Sequence, residues 1–144
     1  MIAVDTNVLV YAHRRESEVH GAAAELLRSL AEGARRWAIP WPCCYEFFGI
    51  VTNRRIWRGA ESSPREAFAQ LLGWTASPSI RLIGETRGFL GILEGLATRS
   101  RVRGPVVHDA RVAAICLAHG VEALLTRDRD FALFPELETR DPFR

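Results

Sequence analysis

The chain has 144 residues and a net charge of +2, enough for one compact domain that buries roughly 68 to 70% of its unfolded surface and too short for a second. Hydrophobic residues at 48% and charged residues at 25% exclude intrinsic disorder and fibrous repeats. Apolar runs only a few residues long exclude a membrane span, and the start MIAVDTNVLVYAH lacks the basic segment and cleavage site of a signal peptide, so the expected compartment is cytoplasmic.

Ile2 to Val4, followed by Asp-Thr-Asn, is a short apolar run stopped by turn formers, which predicts a buried strand ending at Asp5. From about Ser17 to Glu32, Val19, Ala22, Ala23, Leu26, Leu27 and Leu30 recur at helical spacing, and Gly33 is placed to end the helix. Trp37 to Pro40 predicts a second buried strand. Pro42 is suited to the first position of a helix through Tyr45, Phe48 and Val51. Ser62-Ser63-Pro64 with Glu66 marks another helix start, whose expected apolar face is Phe68, Leu71 and Leu72.

Ile80 to Ile83 predicts a third strand, and a helix from about Thr86 to Thr98 leads into an arginine-rich loop. Ala110, Ala113, Ala114 and Leu117 then form a narrow stripe of small residues suited to close packing on a sheet, ending at Gly120. Ala123 to Thr126 is the fourth strand, Phe131 to Phe134 a short helical turn and Leu137 to Thr139 a weak fifth strand. Strands alternating with helices imply βαβ units. The expected fold is therefore α/β, a single domain over residues 1–144 with a parallel sheet of four to five strands between two helical layers.

Cysteine usage is uninformative about ligands: Cys43, Cys44 and Cys116 are odd in number and have no CxxC spacing, so neither a disulfide framework nor a zinc finger is expected. Acid usage says more. Only five of the 17 acids are Asp, namely Asp5, Asp109, Asp128, Asp130 and Asp141. Parallel sheets place ligand sites outside the carboxyl ends of their strands. Asp5 ends the first strand and Asp128 lies just past the fourth; Glu46 is about one turn into the helix leaving the second, and Asp109 opens the alanine-striped helix.

Four carboxylates from four segments thus converge on one rim. Two unit charges about 4 Å apart repel by roughly 4 kcal/mol at an effective dielectric of 20, so such a cluster calls for a cation. All-oxygen donors favour Mg²⁺ or Mn²⁺, and Mg²⁺ held by carboxylates commonly also takes a substrate phosphate.

These residues resemble the PIN-domain ribonucleases, and among them the VapC-type toxins of toxin–antitoxin pairs. The matching elements are Val4-Asp5-Thr6-Asn7, Glu46, His108-Asp109-Ala110, and Leu125-Thr126-Arg127-Asp128-Arg129-Asp130-Phe131 with Phe134-Pro135 behind it. They stand in family order from Ile2 to Pro142. The resemblance implies that Asp5, Glu46, Asp109 and Asp128 form an acidic metal site for Mg²⁺ or Mn²⁺, oriented by hydrogen bonds from Asn7 and Thr126. Asp130 supports or replaces Asp128; the family's Thr-x-Asp element favours Asp128. It further implies hydrolysis of structured RNA such as tRNA or rRNA with inhibition of translation, a VapB-type antitoxin as partner, and a homodimer.

The bland readings differ residue by residue. A lone Asp after a strand caps a turn, a Glu on a helix is usually solvated, and an Asp in a first helical turn is a favourable charge. His108 reads as a surface or orienting histidine, because the family chemistry needs no general base. Arg54, Arg55, Arg58, Arg99, Arg101 and Arg103 are candidate RNA contacts or solvated loop charges. Trp57, Trp74, Phe47 and Phe48 could stack bases or dock a partner, though core packing is commoner. Two rival functions remain: a catalytically silent RNA-binding or scaffold domain, and a Mg²⁺-binding receiver-type phosphoacceptor. The second needs a Lys at the phosphoryl group, and all 19 basic residues of this chain are Arg.

Overall fold

Strands buried on both faces must be apolar at every position, and the second and fourth short apolar segments meet that condition. In a computed structural model describing residues 1–144, β2 (Trp37–Pro40) and β4 (Ala123–Leu125) are buried throughout. They flank the central strand β1 (Ile2–Val4). β3 (Ile80–Ile83) and the two-residue β5 (Thr139–Arg140) close the edges. The order is β3-β2-β1-β4-β5, and every pairing is parallel.

The order runs outward from β1 in one direction for β2 and β3, then in the other for β4 and β5. The crevice between the carboxyl ends of β1 and β4 is therefore the topological switch point, where an open α/β sheet leaves room for a ligand. Main-chain bonding continues to that edge, since Asp5 N–H donates to the Leu125 carbonyl at 3.0 Å.

Seven helices flank the sheet: α1 (Thr6–His13), α2 (His20–Glu32), α3 (Trp41–Val51), α4 (Arg54–Trp57), α5 (Pro64–Thr75), α6 (Phe89–Arg99) and α7 (Val107–Ala118). They fall into two packed groups, α1 with α2 and α3, which in turn meets α5, and α6 with α7. None is long and apolar enough to cross a membrane. Single 3₁₀ turns, Gly104–Val106 and Arg129–Leu133, precede α7 and follow β4.

Several boundaries differ from expectation for identifiable reasons. Asp-Thr-Asn is read as a turn, yet it opens α1: Val8, Leu9 and Ala12 lie on one helical face and are buried there. A single turn of apolar residues directly after a strand gives too short a pattern to announce a helix. α2 begins at His20 and α6 at Phe89, later than their apolar patterns suggest, and β5 is shifted to Thr139–Arg140.

The start of α5 is as expected, with Pro64 in the first position and a full capping box between Ser63 and Glu66. Its buried face is not. Ala67 and Trp74 point inward, while Phe68 and Leu72 are 55% and 67% exposed. Trp74 meets Phe47 edge-on at 5.1 Å, and filling that contact with the larger ring turns the neighbouring face outward. Phe68 is left against Phe48, 5.2 Å between centroids. Phe47 and Trp74 are core, and Trp57 lies beneath the Arg14 guanidinium at 3.8 Å, so this aromatic set packs the protein.

α7 carries the consequence for function. Ala110, Ala113 and Ala114 are fully buried, as are Ile115 and Cys116; their small side chains let the helix seat closely and fix its first turn, which holds Asp109. Enlarging the stripe, as in Ala113→Leu, overpacks this contact and is expected to cost about 1–3 kcal/mol. Urea unfolding reads the loss as a lower midpoint at unchanged slope; an unchanged midpoint would mean that α7 is not seated closely on the sheet.

Candidate active site

Asp5 is the deepest of the acids, 5% exposed at the carboxyl end of β1. A carboxylate there needs donors, and three neighbours supply them. Thr126 Oγ1 donates to Oδ2 at 2.7 Å, Asn7 Nδ2 to the same oxygen at 2.8 Å, and Cys43 Sγ to Oδ1 at 3.6 Å.

Thr126 is the hub. Besides donating to Asp5, its hydroxyl accepts from Asn7 Nδ2 at 2.9 Å and from Asp128 N–H at 2.9 Å. Asn7 Oδ1 accepts from Arg127 N–H at 3.2 Å. The strand end of β1, the first turn of α1 and the loop after β4 are thereby joined through two small polar side chains. Glu46, one turn into α3, is drawn to the same edge by Thr6 Oγ1, which donates to its Oε2 at 2.8 Å.

Asp109, Asp128 and Asp130 each offer one carboxylate oxygen, and the three atoms lie within 4.8 Å of one another. Asp128 Oδ1 accepts from Asp130 N–H at 2.8 Å, so Asp128 caps the turn that carries Asp130 beside it. Both acids that the sequence offers for the fourth position therefore lie beside Asp109. None of the five carboxylates takes part in an ion pair of the chain.

Uncompensated charge shows in the proton affinities. Burial pushes the Asp5 carboxyl from the ordinary 3.8 up to about 6, against the lowering pull of its bonds from Thr126 and the Thr6 backbone, and Glu46 and Asp128 add to the rise. Asp109 also rises to about 6, through burial first and then Asp128, Asp5, Asp130 and Glu46. Burial makes Asp5 and Asp109 resist ionisation, and the neighbouring carboxylates add to it. The all-oxygen donor set fits a hard divalent cation such as Mg²⁺ or Mn²⁺.

Two clefts border the acids. One, of about 300 Å³, is lined by Pro42, Tyr45, Glu46, His108, Asp109 and Arg111. The other, of about 330 Å³, includes Thr126, Asp128, Arg127, Arg129 and Arg144. The arginines singled out in the sequence line neither. Arg54 pairs with Glu61 at 3.5 Å and Arg99 pairs with Glu136. Arg55 lies on α4, Arg58 ends it in a left-handed conformation, Arg101 is left-handed in the loop after α6, and Arg103 precedes the turn before α7.

Thr6, Cys43, Arg111 and the Arg127, Arg129 and Arg144 group were not expected at the site. Thr6, Arg127 and Arg129 do lie inside the quoted motifs, so adjacency was the available clue. Cys43 is fully buried, and nothing in its spacing marks the contact with Asp5.

A family model described as the PIN domain matches residues 2–137. Ribonuclease VapC48 of Mycobacterium tuberculosis (strain ATCC 25618 / H37Rv) is 32% identical over 139 residues, covering 96% of this chain and 95% of that protein. Among solved structures, VapBC2 from Rickettsia felis bound to a DNA fragment from their promoter superposes with a TM-score of 0.70 at 19% identity, covering 97% of this chain and 98% of that one. Mycobacterium tuberculosis VapC20, described as a sarcin-ricin loop cleaving toxin, gives a TM-score of 0.65 at 20% identity and covers 92% and 93%.

The raised acids set a pH dependence with a definite sign. A carboxyl whose folded pKa exceeds its unfolded value costs no stability below about pH 4; the cost grows between pH 4 and 6 and is complete above. For the buried Asp5 it amounts to about 3 kcal/mol. In EDTA, Asp109→Asn is therefore expected to melt above wild type at pH 7.5 and to converge with it near pH 4, as followed by circular dichroism. Equal melting at pH 7.5 would show that Asp109 ionises there without penalty.

Proposed function

This chain belongs to the PIN-domain family, and on that premise we propose that it is the toxin of a toxin–antitoxin pair, an endoribonuclease that hydrolyses phosphodiester bonds in structured RNA, tRNA or rRNA, and so inhibits translation. The observation that carries the reading is the meeting of Asp109, Asp128 and Asp130 within 4.8 Å, beside a buried Asp5 with no basic counter-ion. Ordinary folding does not gather unpaired acids at a switch point, because each raises the cost of ionising the next. These carboxylates would hold a divalent ion, whose positive charge would offset that cost.

In this reading Asp5, Glu46, Asp109 and Asp128 hold Mg²⁺ or Mn²⁺, with Asp130 in support. The bound ion supplies a water of lowered pKa and stabilises charge on the phosphate. The chain's own residues do the positioning. Thr126 and Asn7 donate to one oxygen of Asp5 and Cys43 to the other, which fixes the plane of that carboxylate. Thr6 restrains Glu46, and the close seat of α7 fixes Asp109. Arg129 borders the acids from the β4 side together with Arg127 and Arg144, which share Asp141 at 3.5 and 3.1 Å; three guanidinium groups against that one carboxylate leave positive charge for the phosphates of a strand laid across the site.

The partner in this proposal is a VapB-type antitoxin, the working state a homodimer and the compartment cytoplasmic. Structural relatives crystallised as a VapBC assembly support the first of these.

Purified protein incubated with total RNA and Mn²⁺ is expected to give discrete fragments with 5′-phosphate ends, and EDTA to stop it. Asp5→Asn and Asp109→Asn are expected to abolish cutting, whereas Thr126→Val, which removes only the orienting hydroxyl, is expected to slow it about 10–100-fold. Identical banding from wild type and both Asn variants would reject the site. Asp128→Asn is expected to lose activity and Asp130→Asn to retain part of it; the reverse would exchange their roles.

A further inference from the structure

The cleft between α3 and the first turn of α7 contains more than carboxylates. Beside Glu46 and Asp109 it is lined by Tyr45, whose ring is 64% exposed. That ring stacks on Trp41 with centroids 6.1 Å apart and planes inclined by 21°. Trp41 is itself 41% exposed, and neither ring belongs to the hydrophobic core.

The pair is held in place from behind. A Cβ at Gly84, just past β3, would come within 3.3 Å of Trp41 Cδ1, so the indole lies close over backbone that carries no side chain. The result is a preordered aromatic face. Tyr45 directly precedes Glu46, which Thr6 restrains, and this places the ring next to the acids. Arg111, across the cleft's lining, is tethered by its ion pair with Glu85.

We propose that this cleft is a base-binding subsite, in which Tyr45, backed by Trp41, stacks on the nucleobase of the nucleotide adjoining the phosphate that is cut. The inference rests on the nuclease reading of the acidic cluster. Two acids of that cluster line the cleft, so its occupant lies at the reacting phosphate. About 300 Å³ is at the lower end of ligand-sized pockets. The lining combines one ring face with His108, Arg111 and carboxylates, which suits a flat heterocycle with a polar edge and does not suit an apolar peptide. Arg127, Arg129 and Arg144 border Asp128 in the separate second cleft, leaving the phosphates of the same strand to basic side chains and the base to the aromatic pair.

The test separates this subsite from the nuclease reading. In the Asp5→Asn background with Mg²⁺, fluorescein-labelled oligo(A) and oligo(U) are compared with an abasic oligomer of equal length by anisotropy. Stacking is expected to make the base-bearing oligomers bind roughly tenfold tighter than the abasic one; Tyr45→Ala erases that ratio and Tyr45→Phe keeps it. In the active protein, 5′-end mapping of digested RNA is expected to show a nucleotide preference beside the cut that Tyr45→Ala flattens and Tyr45→Phe retains. If Tyr45→Ala leaves both the ratio and the preference intact while cutting continues, the subsite is overturned and a protein partner becomes the occupant of the aromatic pair. Cutting that persists in Asp5→Asn instead overturns the nuclease reading.

Discussion

Repulsion among like charges is the constraint around which this molecule is built. Asp5, Glu46, Asp109 and the pair Asp128 and Asp130 reach one rim from four segments, and none finds a basic partner. Burial and the neighbouring carboxylates together raise the cost of ionising Asp5 and Asp109, and the rest of the chain keeps the acids from moving apart. The parallel sheet, the tight seat of α7 and the hydroxyl of Thr126 all work against that repulsion.

Thr126 shows how few bonds are needed. One hydroxyl donates to Asp5 and accepts from Asn7 and from the backbone of Asp128, which ties the ends of β1 and β4 across the switch point. Two of the acids thereby share a rigid origin. Asp130 follows in the turn that Asp128 caps, and the other two are placed by helices: Glu46 one turn into α3, and Asp109 in the first turn of a helix whose Ala110, Ala113 and Ala114 are buried. Misplacing such groups by an ångström is costly in catalysis, so core residues far from the phosphate are part of the catalytic apparatus in effect.

Charge and ring are segregated around the rim. Arginines stand on the β4 side, while an exposed tyrosine–tryptophan pair and a tethered Arg111 stand on the α3 side. A chain with a net charge of only +2 does not attract nucleic acid by its overall field. Any attraction has to come from local placement, and Arg127, Arg129 and Arg144 are the arginines that line the cleft beside Asp128.

The amino-acid pattern alone determined the fold class, the parallel sheet and the four segments that meet at its rim, because buried strands must be apolar and βα loops must emerge at one edge. It also pointed to Asp5, Asp109 and Asp128 as candidates, since Asp is scarce here and these stand where strands end or helices begin, and to Glu46 by its place near the start of the helix leaving the second strand. Spacing along the chain carries no information about contacts between segments. That Thr126 binds Asp5, that Cys43 lies beneath it, that α1 begins at Thr6 and that Phe68 faces water were decided by packing in three dimensions. So was the choice among arginines: a cluster in sequence such as Arg99, Arg101 and Arg103 looks more conspicuous than Arg127, Arg129 and Arg144, yet only tertiary structure brings the C-terminal arginine beside the loop after β4.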